Sequence, residues 1–486
     1  MTNNNLKEKE NSLIKNVKNS ISRLFINKQQ EEMEKNEIHF GSGYNLKNNE
    51  IEKRITVDDK NRSGHFWCFG TTRVGKTRLI ENMVEEDIKK GYDVIVIDPK
   101  GDMELLSKIA KVAVDAGRNE DLMLLNPLYP DKSIRFNPLR YYNIKEELAA
   151  HVIAAIPDSR EPFFKNVAYE TTINAIIGLS HLAKMEGRSD ILTFKDIKKY
   201  TSKETLYSLQ NSLEKYAVFE NTQDIINNLK AITSSEKDYF SKINSSLRVA
   251  LTELTIGNIG LLIGNHTENE VVRRIEENSY FENSNNKHPN ELNGRKRPGV
   301  ILVVQASSLI TDRAARSLGK VVISTIAKLA GRIFARGTKL KTPLCLYIDE
   351  AQSMLYGGIE ELFAKAGGAS VWIHCFSQSI NQVYSEMPSV NAAKSILDNI
   401  NTKVFMRAPD QETAEYVSRF FGHHKVLSPT YNSHSDVIIT RQIEEKLVRP
   451  EAVLSLQPRE FFMSTYSGLY SGTVRTVSNN YLKINL

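Results

Sequence analysis

Residues Gly70-Thr71-Thr72-Arg73-Val74-Gly75-Lys76-Thr77 match the pattern G-x-x-x-x-G-K-[ST] of a phosphate-binding loop. The apolar run HFWCF precedes it and the helical pattern RLIENMVEEDIKK follows it, which is the strand-loop-helix context that the motif requires. The alternative, a chance match on a glycine turn, is disfavoured by these flanks. The sequence therefore predicts a nucleotide-binding P-loop over Gly70 to Thr77.

The chemistry of phosphate binding explains the residue types in this loop. Gly70 and Gly75 let the backbone wrap closely, so that N–H groups and the following helix N-terminus face phosphate oxygens. Lys76 would bridge the terminal phosphates, and Thr77 would ligate a magnesium ion. We therefore expect ATP and Mg²⁺ to bind here.

A second motif is the apolar run Leu344 to Ile348, which ends in Asp349 and Glu350. In a P-loop protein Asp349 would hold Mg²⁺, through water or Thr77, while Glu350 would polarise the attacking water. A strand that merely exits into a charged turn is the alternative. Because Lys76 is present, the sequence favours hydrolysis, with Lys76 and Glu350 as catalytic residues.

Two further strands end in polar residues. Gln378 closes the run SVWIHCFSQ and is a third candidate catalytic residue, positioned to contact the γ-phosphate or the attacking water; a structural hydrogen bond to the loop is its alternative role. Asp98 ends the run DVIVID and Lys100 follows it, and these two residues either bind the nucleotide or shape the turn. The sequence does not decide between these roles.

Apolar β-runs alternate with helical patterns on both sides of a helical stretch, which predicts an α/β fold with a mostly parallel sheet covered by helices on both faces and an inserted all-α domain. Lys76 and Asp349 lie far apart along the chain, and this insertion fills the gap. The expected regions are a polar N-terminal region over 1–62, the first part of the core over 63–159, the all-α domain over 160–262, a polar linker over 263–298 and the second part of the core over 299–486.

Within the N-terminal region, Leu13 to Phe25 place apolar residues at helical spacing between lysines and arginine, which predicts a short amphipathic basic helix over about 13–28. Such a helix lies on an anionic membrane surface or, more often, packs against protein. The N-terminus lacks the apolar core of a signal peptide, and no apolar run is long enough to span a membrane. We therefore expect a cytoplasmic protein.

Composition adds little about partners. The net charge of +6 on 486 residues is weak evidence for a nucleic-acid partner, and zinc-knuckle or helix-turn-helix patterns are absent. Cys68, Cys345 and Cys375 each lie in an apolar run and are expected to be small core residues in a reducing compartment.

The stretches GTTRVGKTRL, VIVIDPKGD, SSLRVALTELTIGNIGLLI, LCLYIDEAQS, FAKAGGAS, CFSQS and DNINTKVFMRAPDQETAEYV together resemble the coupling-protein ATPases of type IV secretion and conjugation, the TraD/TraG type. The resemblance runs in order from about His39 to Val477. It implies a RecA-like motor core with an inserted all-α domain, a homo-hexamer at the inner membrane, and ATP-driven transfer of DNA or protein to a secretion channel. Asn399, Thr402, Arg407 and Thr413 fall in the family's segment after the glutamine strand.

Two departures from the family pattern qualify these expectations. Most members carry two N-terminal transmembrane helices, whereas no segment before the core here could span, so attachment to the cytoplasmic face of the inner membrane would be peripheral or through a partner. Gly367 and Gly368 stand where many relatives place an arginine thought to reach the neighbour's nucleotide. If an arginine acts in trans, Arg313, Arg316 or Arg407 must provide it.

The leading functional hypothesis is an ATP-hydrolysing coupling protein that drives or recruits conjugative DNA, with a relaxase, to type IV secretion channel proteins. DNA would be bound as a single strand and without sequence preference. One alternative is a related motor with another cargo, such as a DNA-pumping ATPase or a protein-only secretion coupler. The other is a slow, nucleotide-gated adaptor, which the intact Lys76, Thr77, Asp349 and Glu350 disfavour.

Overall fold

A computed structural model gives the fold of the chain. The predicted amphipathic helix over 13–28 lies outside the residues that it describes. The described residues are 36–157, 163–218, 221–234, 240, 242, 244–280, 291–292, 295–296, 299–306, 308–432 and 437–484.

A large sheet forms the centre of the structure. The strands in chain order are β1 (Glu37–Asn45), β2 (Ile51–Asp58), β3 (Phe66–Phe69), β4 (Asp93–Asp98), β5 (Leu122–Leu125), β6 (Glu291–Leu292), β7 (Arg295–Lys296), β8 (Ile301–Gln305), β9 (Leu344–Ile348), β10 (Val371–Ser377), β11 (Thr402–Phe405), β12 (His423–Asn432), β13 (Val437–Lys446), β14 (Glu460–Thr465) and β15 (Gly468–Val474). Eleven of them form one sheet in the order β2-β1-β15-β14-β11-β3-β10-β9-β4-β8-β5, while β6–β7 and β12–β13 are separate ribbons.

Strand direction divides the sheet into two parts. From β11 through β3, β10, β9, β4 and β8 to β5, every neighbouring pair is parallel. The strands β14, β15, β1 and β2 extend the sheet as antiparallel neighbours. The parallel part brings the carboxyl ends of seven strands to one edge, where ligands bind in open α/β sheets.

Helices connect and cover the strands. They are α1 (Asp59–Arg62), α2 (Lys76–Lys90), α3 (Met103–Asp115), α4 (Lys145–Ala154), α5 (Phe163–Met185), α6 (Phe194–Lys199), α7 (Lys203–Glu214), α8 (Thr222–Thr233), α9 (Ser245–Thr255), α10 (Glu270–Tyr280), α11 (Ser308–Ala335), α12 (Glu360–Lys365), α13 (Ile380–Glu386), α14 (Val390–Asp398), α15 (Gln411–Phe421) and α16 (Pro450–Ser455). Short helical turns lie at Asn119–Asp121, Pro130–Lys132, Gly257–Gly264, Ala351–Met354 and Ala366–Ala369.

Alternate side chains of the central strands enter two different cores. In β3, Phe66 and Cys68 pack with α2 and α3, whereas Trp67 and Phe69 pack on the opposite face with α4, α9 and α11. All four side chains are buried, so this strand is apolar on both faces, as expected for a parallel sheet covered on both sides. The predicted fold class is therefore confirmed.

The helices between β5 and β8 divide between two cores. Residues of α5, α7 and α8 form a cluster of their own, which includes Leu182, Leu209 and Leu229. In contrast, α4, α6, α9 and α10 contribute buried residues to the core beneath the sheet. The boundaries of the all-α domain, 160–262, remain a prediction.

Two of the predicted regions contain more regular structure than we expected. The linker predicted over 263–298 includes α10, because Val271, Val272 and Ile275 bury one helix face and Asn269 Oδ1 accepts the N–H of Val272 at 3.1 Å. The N-terminal region predicted as polar over 1–62 includes β1, β2 and α1. Its alternating buried residues are Ile38, Phe40, Ile55 and Val57.

The described residues contain no single helix with the length and apolarity needed to cross a membrane. One bent pair, Ser245–Thr255 and Gly257–Gly264, passes that test jointly, with an angle of 73° between its halves.

A buried charged network fixes α2, whose first residue is Lys76, to the sheet. Arg62, which is 0% exposed, donates to Asp87 of α2 through both terminal nitrogens, at 2.8 and 2.6 Å. Its Nε also lies 3.2 Å from His374 Nε2 on β10, and the Tyr347 hydroxyl on β9 donates to Asp87 at 2.5 Å. This network joins α1, α2 and two central strands.

Removing one member of this network should strongly destabilise the fold. Asp87→Ala would remove the bidentate partner of the buried Arg62 guanidinium and leave it the single carboxylate contact with Asp59 at 2.9 Å, so we expect the free energy of unfolding to fall by about 3–5 kcal/mol. Lys89→Ala, which breaks an exposed Lys89–Glu85 pair on the same helix, should cost less than about 1 kcal/mol. Urea unfolding followed by circular dichroism measures both. Equal small losses in the two variants would contradict the structural role of the network.

Candidate functional site

The candidate site lies at the carboxyl edge of four adjacent parallel strands. Strand β3 leads into the P-loop, β10 into Gln378, β9 into Asp349 and Glu350, and β4 ends at Asp98. These strands are neighbours in the order β3-β10-β9-β4. Residues that are distant in sequence are therefore brought together by the order of the strands.

The backbone of the P-loop adopts the tight course that its glycines permit. Gly75 has φ of 103° immediately before α2, and Arg73 has φ of 61°. At Gly70 an added Cβ would lie 2.8 Å from the Cβ of Met406, closer than atoms pack. Both glycines are thus required by the local geometry, one for its conformation and the other for its close approach to β11.

Hydrogen bonds tie the start of the loop to neighbouring strands. The Gly70 N–H donates to the Ser377 carbonyl at 3.1 Å, and the Thr71 N–H donates to the Arg407 carbonyl at 2.9 Å. The loop is consequently held between the ends of β10 and β11.

Lys76 is folded back onto its own loop. Its Nζ donates to the Gly70 carbonyl at 2.5 Å and to the Thr71 carbonyl at 2.9 Å. The side chain is buried, and this burial lowers the pKa of Lys76, although Glu350 and Asp349 partly oppose the effect. A phosphate would be a stronger partner for this ammonium group than two neutral carbonyls are.

Glu350 is surrounded by hydrogen-bond donors. Lys100 Nζ lies 2.5 Å from Glu350 Oε1, Gln352 Nε2 donates to Oε2 at 2.5 Å, and Gln378 Nε2 donates to both oxygens at 3.2 and 3.3 Å. Burial alone would raise the pKa of Glu350, but the hydrogen bonds and charge of Lys100 and the two glutamines lower it below its usual value. Gln378 therefore contacts the predicted catalytic carboxylate directly.

The backbone of Glu350 is itself in an uncommon conformation. Its φ and ψ are both 46°, in the left-handed region that non-glycine residues rarely adopt. The Ser353 N–H donates to the Glu350 carbonyl at 2.9 Å and closes the helical turn that follows. Strain of this kind is commonly retained at functional sites.

Asp349 has the features of a magnesium ligand. Its Oδ2 accepts from Lys100 Nζ at 3.2 Å, while its Oδ1 is buried without a hydrogen-bond partner among the described residues. Burial raises the pKa of Asp349, and Lys100 opposes this effect. A carboxylate oxygen that lacks a partner is the kind of ligand that Mg²⁺ prefers, and Thr77, in the first turn of α2, offers a hydroxyl. The residues present therefore fit a magnesium ion.

No other metal site is found among the described residues, where no cluster of three or more His, Cys, Asp or Glu side chains could hold a metal ion. Cys68, Cys345 and Cys375 are buried and carry free thiols, as expected from their apolar surroundings. Burial raises the pKa of Cys68 to about 12, so this thiol stays protonated.

The structure separates the roles that the sequence left open for Asp98 and Lys100. Asp98 shapes the turn, because its carboxylate accepts from the backbone N–H groups of Lys100 at 3.0 Å and Asp102 at 2.5 Å. Gln305 Nε2 donates to the same group at 3.1 Å. Burial, with the nearby charge of Asp349, raises the pKa of Asp98 to about 6. Lys100 instead faces Asp349 and Glu350.

The three arginines considered for action in trans lie in different settings. Arg313 pairs with Glu253 at 2.7 Å, and Arg316 lies 3.0 Å from an Asp312 oxygen. Arg407 is exposed, and its carbonyl accepts from Thr71 of its own P-loop. Arg407 is therefore placed beside the nucleotide site of its own chain.

The remaining residues of the segment after the glutamine strand make local contacts. Asn399 donates to the Ser395 carbonyl at 2.8 Å, and the Thr413 hydroxyl donates to Asp410 at 2.9 Å, at the start of α15. The Thr402 hydroxyl lies 3.2 Å from the Thr465 hydroxyl. These contacts stabilise the fold around β11.

Sequence reasoning missed Gln352 and Arg459. Gln352 follows Glu350 by two residues, and its amide reaches that carboxylate only because the chain turns at Glu350. Arg459 has φ of 72° in the turn before β14, and its N–H donates to the Val74 carbonyl at 2.7 Å. Pro458 is the only local signal of this turn. Nothing in the sequence links it to the P-loop.

Two family models match the chain. The model described as "Type IV secretory system Conjugative DNA transfer" matches residues 3–264, which is more than half of the chain. The model described as "TraM recognition site of TraD and TraG" matches residues 343–458. No curated protein matches the chain in sequence.

Solved structures with a similar fold include conjugation proteins. The unbound bacterial conjugative coupling protein TrwB has a TM-score of 0.62 at 16% identity, over 89% of this chain and 87% of that chain. TrwB in complex with ADP and Mg²⁺ has a TM-score of 0.60 at 16% identity, over 87% and 88%. VirB4 of Thermoanaerobacter pseudethanolicus has a TM-score of 0.51 at 10% identity, over 90% and 97%. At these identities the likeness concerns the fold.

Proposed function

The chain belongs to the conjugative DNA transfer family of type IV secretory systems. Within this family, we propose that it is an ATP-hydrolysing coupling protein that drives DNA toward the secretion channel. The observation that carries this proposal is the convergence of Lys76, Asp349, Glu350 and Gln378 at one sheet edge. These are the groups that phosphoryl transfer to water requires.

The proposed roles follow from position and chemistry. The N–H groups of the loop and the N-terminus of α2 bind the phosphates, and the Lys76 ammonium neutralises charge on the terminal ones. Glu350 accepts a proton from the attacking water, and Gln378, which already donates to Glu350, orients that carboxylate or the water. TrwB, the fold relative, has been solved with ADP and Mg²⁺, which supports the same ligands here.

Asp349 and Thr77 would hold magnesium. When bound, Mg²⁺ neutralises charge on the phosphate oxygens and holds the terminal phosphates in place. Asp349 is suited to this task because its Oδ1 lacks a partner within the described protein, so binding a cation there breaks no hydrogen bond.

The partners and assembly are proposed from family membership. We expect single-stranded DNA bound without sequence preference, a relaxase, channel proteins, and a homo-hexameric ring. The helical region predicted over 160–262 would be the module added to the motor. Arg313, Arg316 and Arg407 remain candidates for a neighbour's nucleotide. Arg313 would have to leave Glu253, and Arg316 would have to leave Asp312 and Glu386, on assembly, whereas Arg407 contacts its own P-loop through its backbone carbonyl. Membrane attachment would be peripheral or through a partner.

Ring formation predicts that hydrolysis depends on protein concentration. A neighbour's positive side chain would stabilise charge on the transferring phosphoryl group, so an isolated subunit should hydrolyse ATP slowly. We expect the rate per subunit to rise with concentration and then to reach a plateau, in parallel with assembly followed by light scattering. A low rate that stays flat while the protein assembles would favour the nucleotide-gated adaptor over the motor.

A further inference from the structure

Lys100 links the turn after β4 to the two carboxylates after β9. Its backbone is fixed, because its N–H donates to Asp98 at 3.0 Å and the next residue, Gly101, takes φ of 74°. Its side chain is 45% exposed and reaches across to place Nζ 2.5 Å from Glu350 Oε1 and 3.2 Å from Asp349 Oδ2. Because lysine carries its ammonium group on a flexible four-carbon stem, this half-exposed side chain can reach another anionic partner while its backbone stays in place.

This contact adds to the hydrogen bonding of Glu350. A carboxylate has about four acceptor positions. Lys100 and Gln378 occupy Oε1, while Gln352 and Gln378 occupy Oε2. Each Glu350 oxygen has one short contact, with Lys100 or with Gln352, at 2.5 Å, while the single Gln378 nitrogen is shared between the two oxygens, so a water must compete with these donors for the carboxylate. The arrangement is thus a resting state of the predicted base.

Binding of magnesium and ATP would disturb the Lys100 contact. A divalent cation held by Asp349 and the Lys100 ammonium 3.2 Å from the same carboxylate would repel each other. A γ-phosphate beside Lys76 would meanwhile offer Lys100 an anionic partner at the same sheet edge. ADP carries no such group, so this attraction distinguishes the two nucleotides.

We propose that Lys100 is a positioning residue that senses the γ-phosphate: it holds Glu350 in the resting state and moves to the γ-phosphate when ATP binds with magnesium. The move frees Glu350 Oε1, so that the base becomes available only when the complete substrate is present. This inference rests on the proposed function, since it requires that ATP binds at this P-loop.

Equilibrium binding of nucleotides tests the proposal without reference to turnover. With Mg²⁺ present, the affinities for a non-hydrolysable ATP analogue and for ADP are measured by calorimetry on the full chain and on Lys100→Met. We expect the preference for the ATP analogue over ADP to fall about tenfold or more in the variant, because one charge-assisted contact is lost. Lys132→Met, at an exposed lysine in the short helical turn after β5, is the matched control and should keep the wild-type preference.

A second measurement follows the cation. In the ADP-bound protein Lys100 stays on Asp349 and competes with the metal, so Mn²⁺ monitored by electron paramagnetic resonance should bind the ADP complex of Lys100→Met more tightly than that of the wild type. Unchanged nucleotide preference or weaker Mn²⁺ binding in Lys100→Met would overturn the proposal. If the wild-type protein binds neither nucleotide, both the proposed function and this inference fail. If the wild-type protein binds both nucleotides and Lys100→Met binds them with the same preference, the inference fails and the proposed function stands.

Discussion

Glu350→Gln should bind ATP at least as tightly as the wild-type protein but hydrolyse it about 10²–10⁴-fold more slowly. The amide keeps the size of the side chain and its contacts with Gln352 and Gln378 on the oxygen, yet it cannot accept a proton from water. Steady-state phosphate release measures the rate, and a fluorescent ATP analogue measures the affinity. Glu451→Gln, at an exposed glutamate in the first turn of α16, is the control and should leave both unchanged.

Lys76→Ala should lose both binding and hydrolysis. It removes the ammonium group whose present partners are the Gly70 and Thr71 carbonyls and whose proposed partners are the terminal phosphates. Loss of charge-assisted bonds to phosphate should weaken ATP affinity about 100-fold or more. Lys89→Ala, at the exposed end of the same helix, is the matched control.

The contrast between the two variants separates binding from chemistry. Equal loss of ATP affinity in Glu350→Gln and Lys76→Ala would contradict the role assigned to Glu350. Rapid hydrolysis by Glu350→Gln would place the base elsewhere at the sheet edge.

The parallel core could be predicted from sequence because its strands are apolar on both faces and end in diagnostic residues. The run DVIVID coincides with β4, and the predicted strands leading to Lys76, Asp349 and Gln378 are β3, β9 and β10. Since parallel strands present their carboxyl ends at one edge, the motifs predicted that these residues converge. The family resemblance is confirmed by the match over residues 3–264.

Other elements were not predictable because their cause is not local. The strands β1 and β2 lie in a polar region, and only pairing with β15 and burial of Ile38 and Phe40 against the sheet make them regular. Helix α10 adjoins a polar stretch rich in Asn and Gly. The composition of that stretch favoured a loop prediction, although Val271 and Ile275 form an apolar helix face.

Within the site, contacts between residues on different loops could not be predicted from the sequence for the same reason. Lys100 meets Glu350 across two loops, and Arg459 reaches the P-loop from the turn before β14. The spacing of residues along the chain indicates neither contact. The site residues therefore remain predictions that the structure places together and that mutation will test.

If this protein is an ATPase that acts on DNA, then DNA should stimulate its ATP hydrolysis. The measurement is the rate of phosphate release at saturating protein concentration, without DNA and with single- or double-stranded DNA of unrelated sequences, between about 50 and 200 mM salt. Because contacts would be made mainly to phosphates, we expect stimulation that is independent of sequence, strongest with single strands, and steeply weakened by salt. A rate of hydrolysis that DNA leaves unchanged under all these conditions would contradict a role in moving DNA and would favour a protein-only secretion coupler.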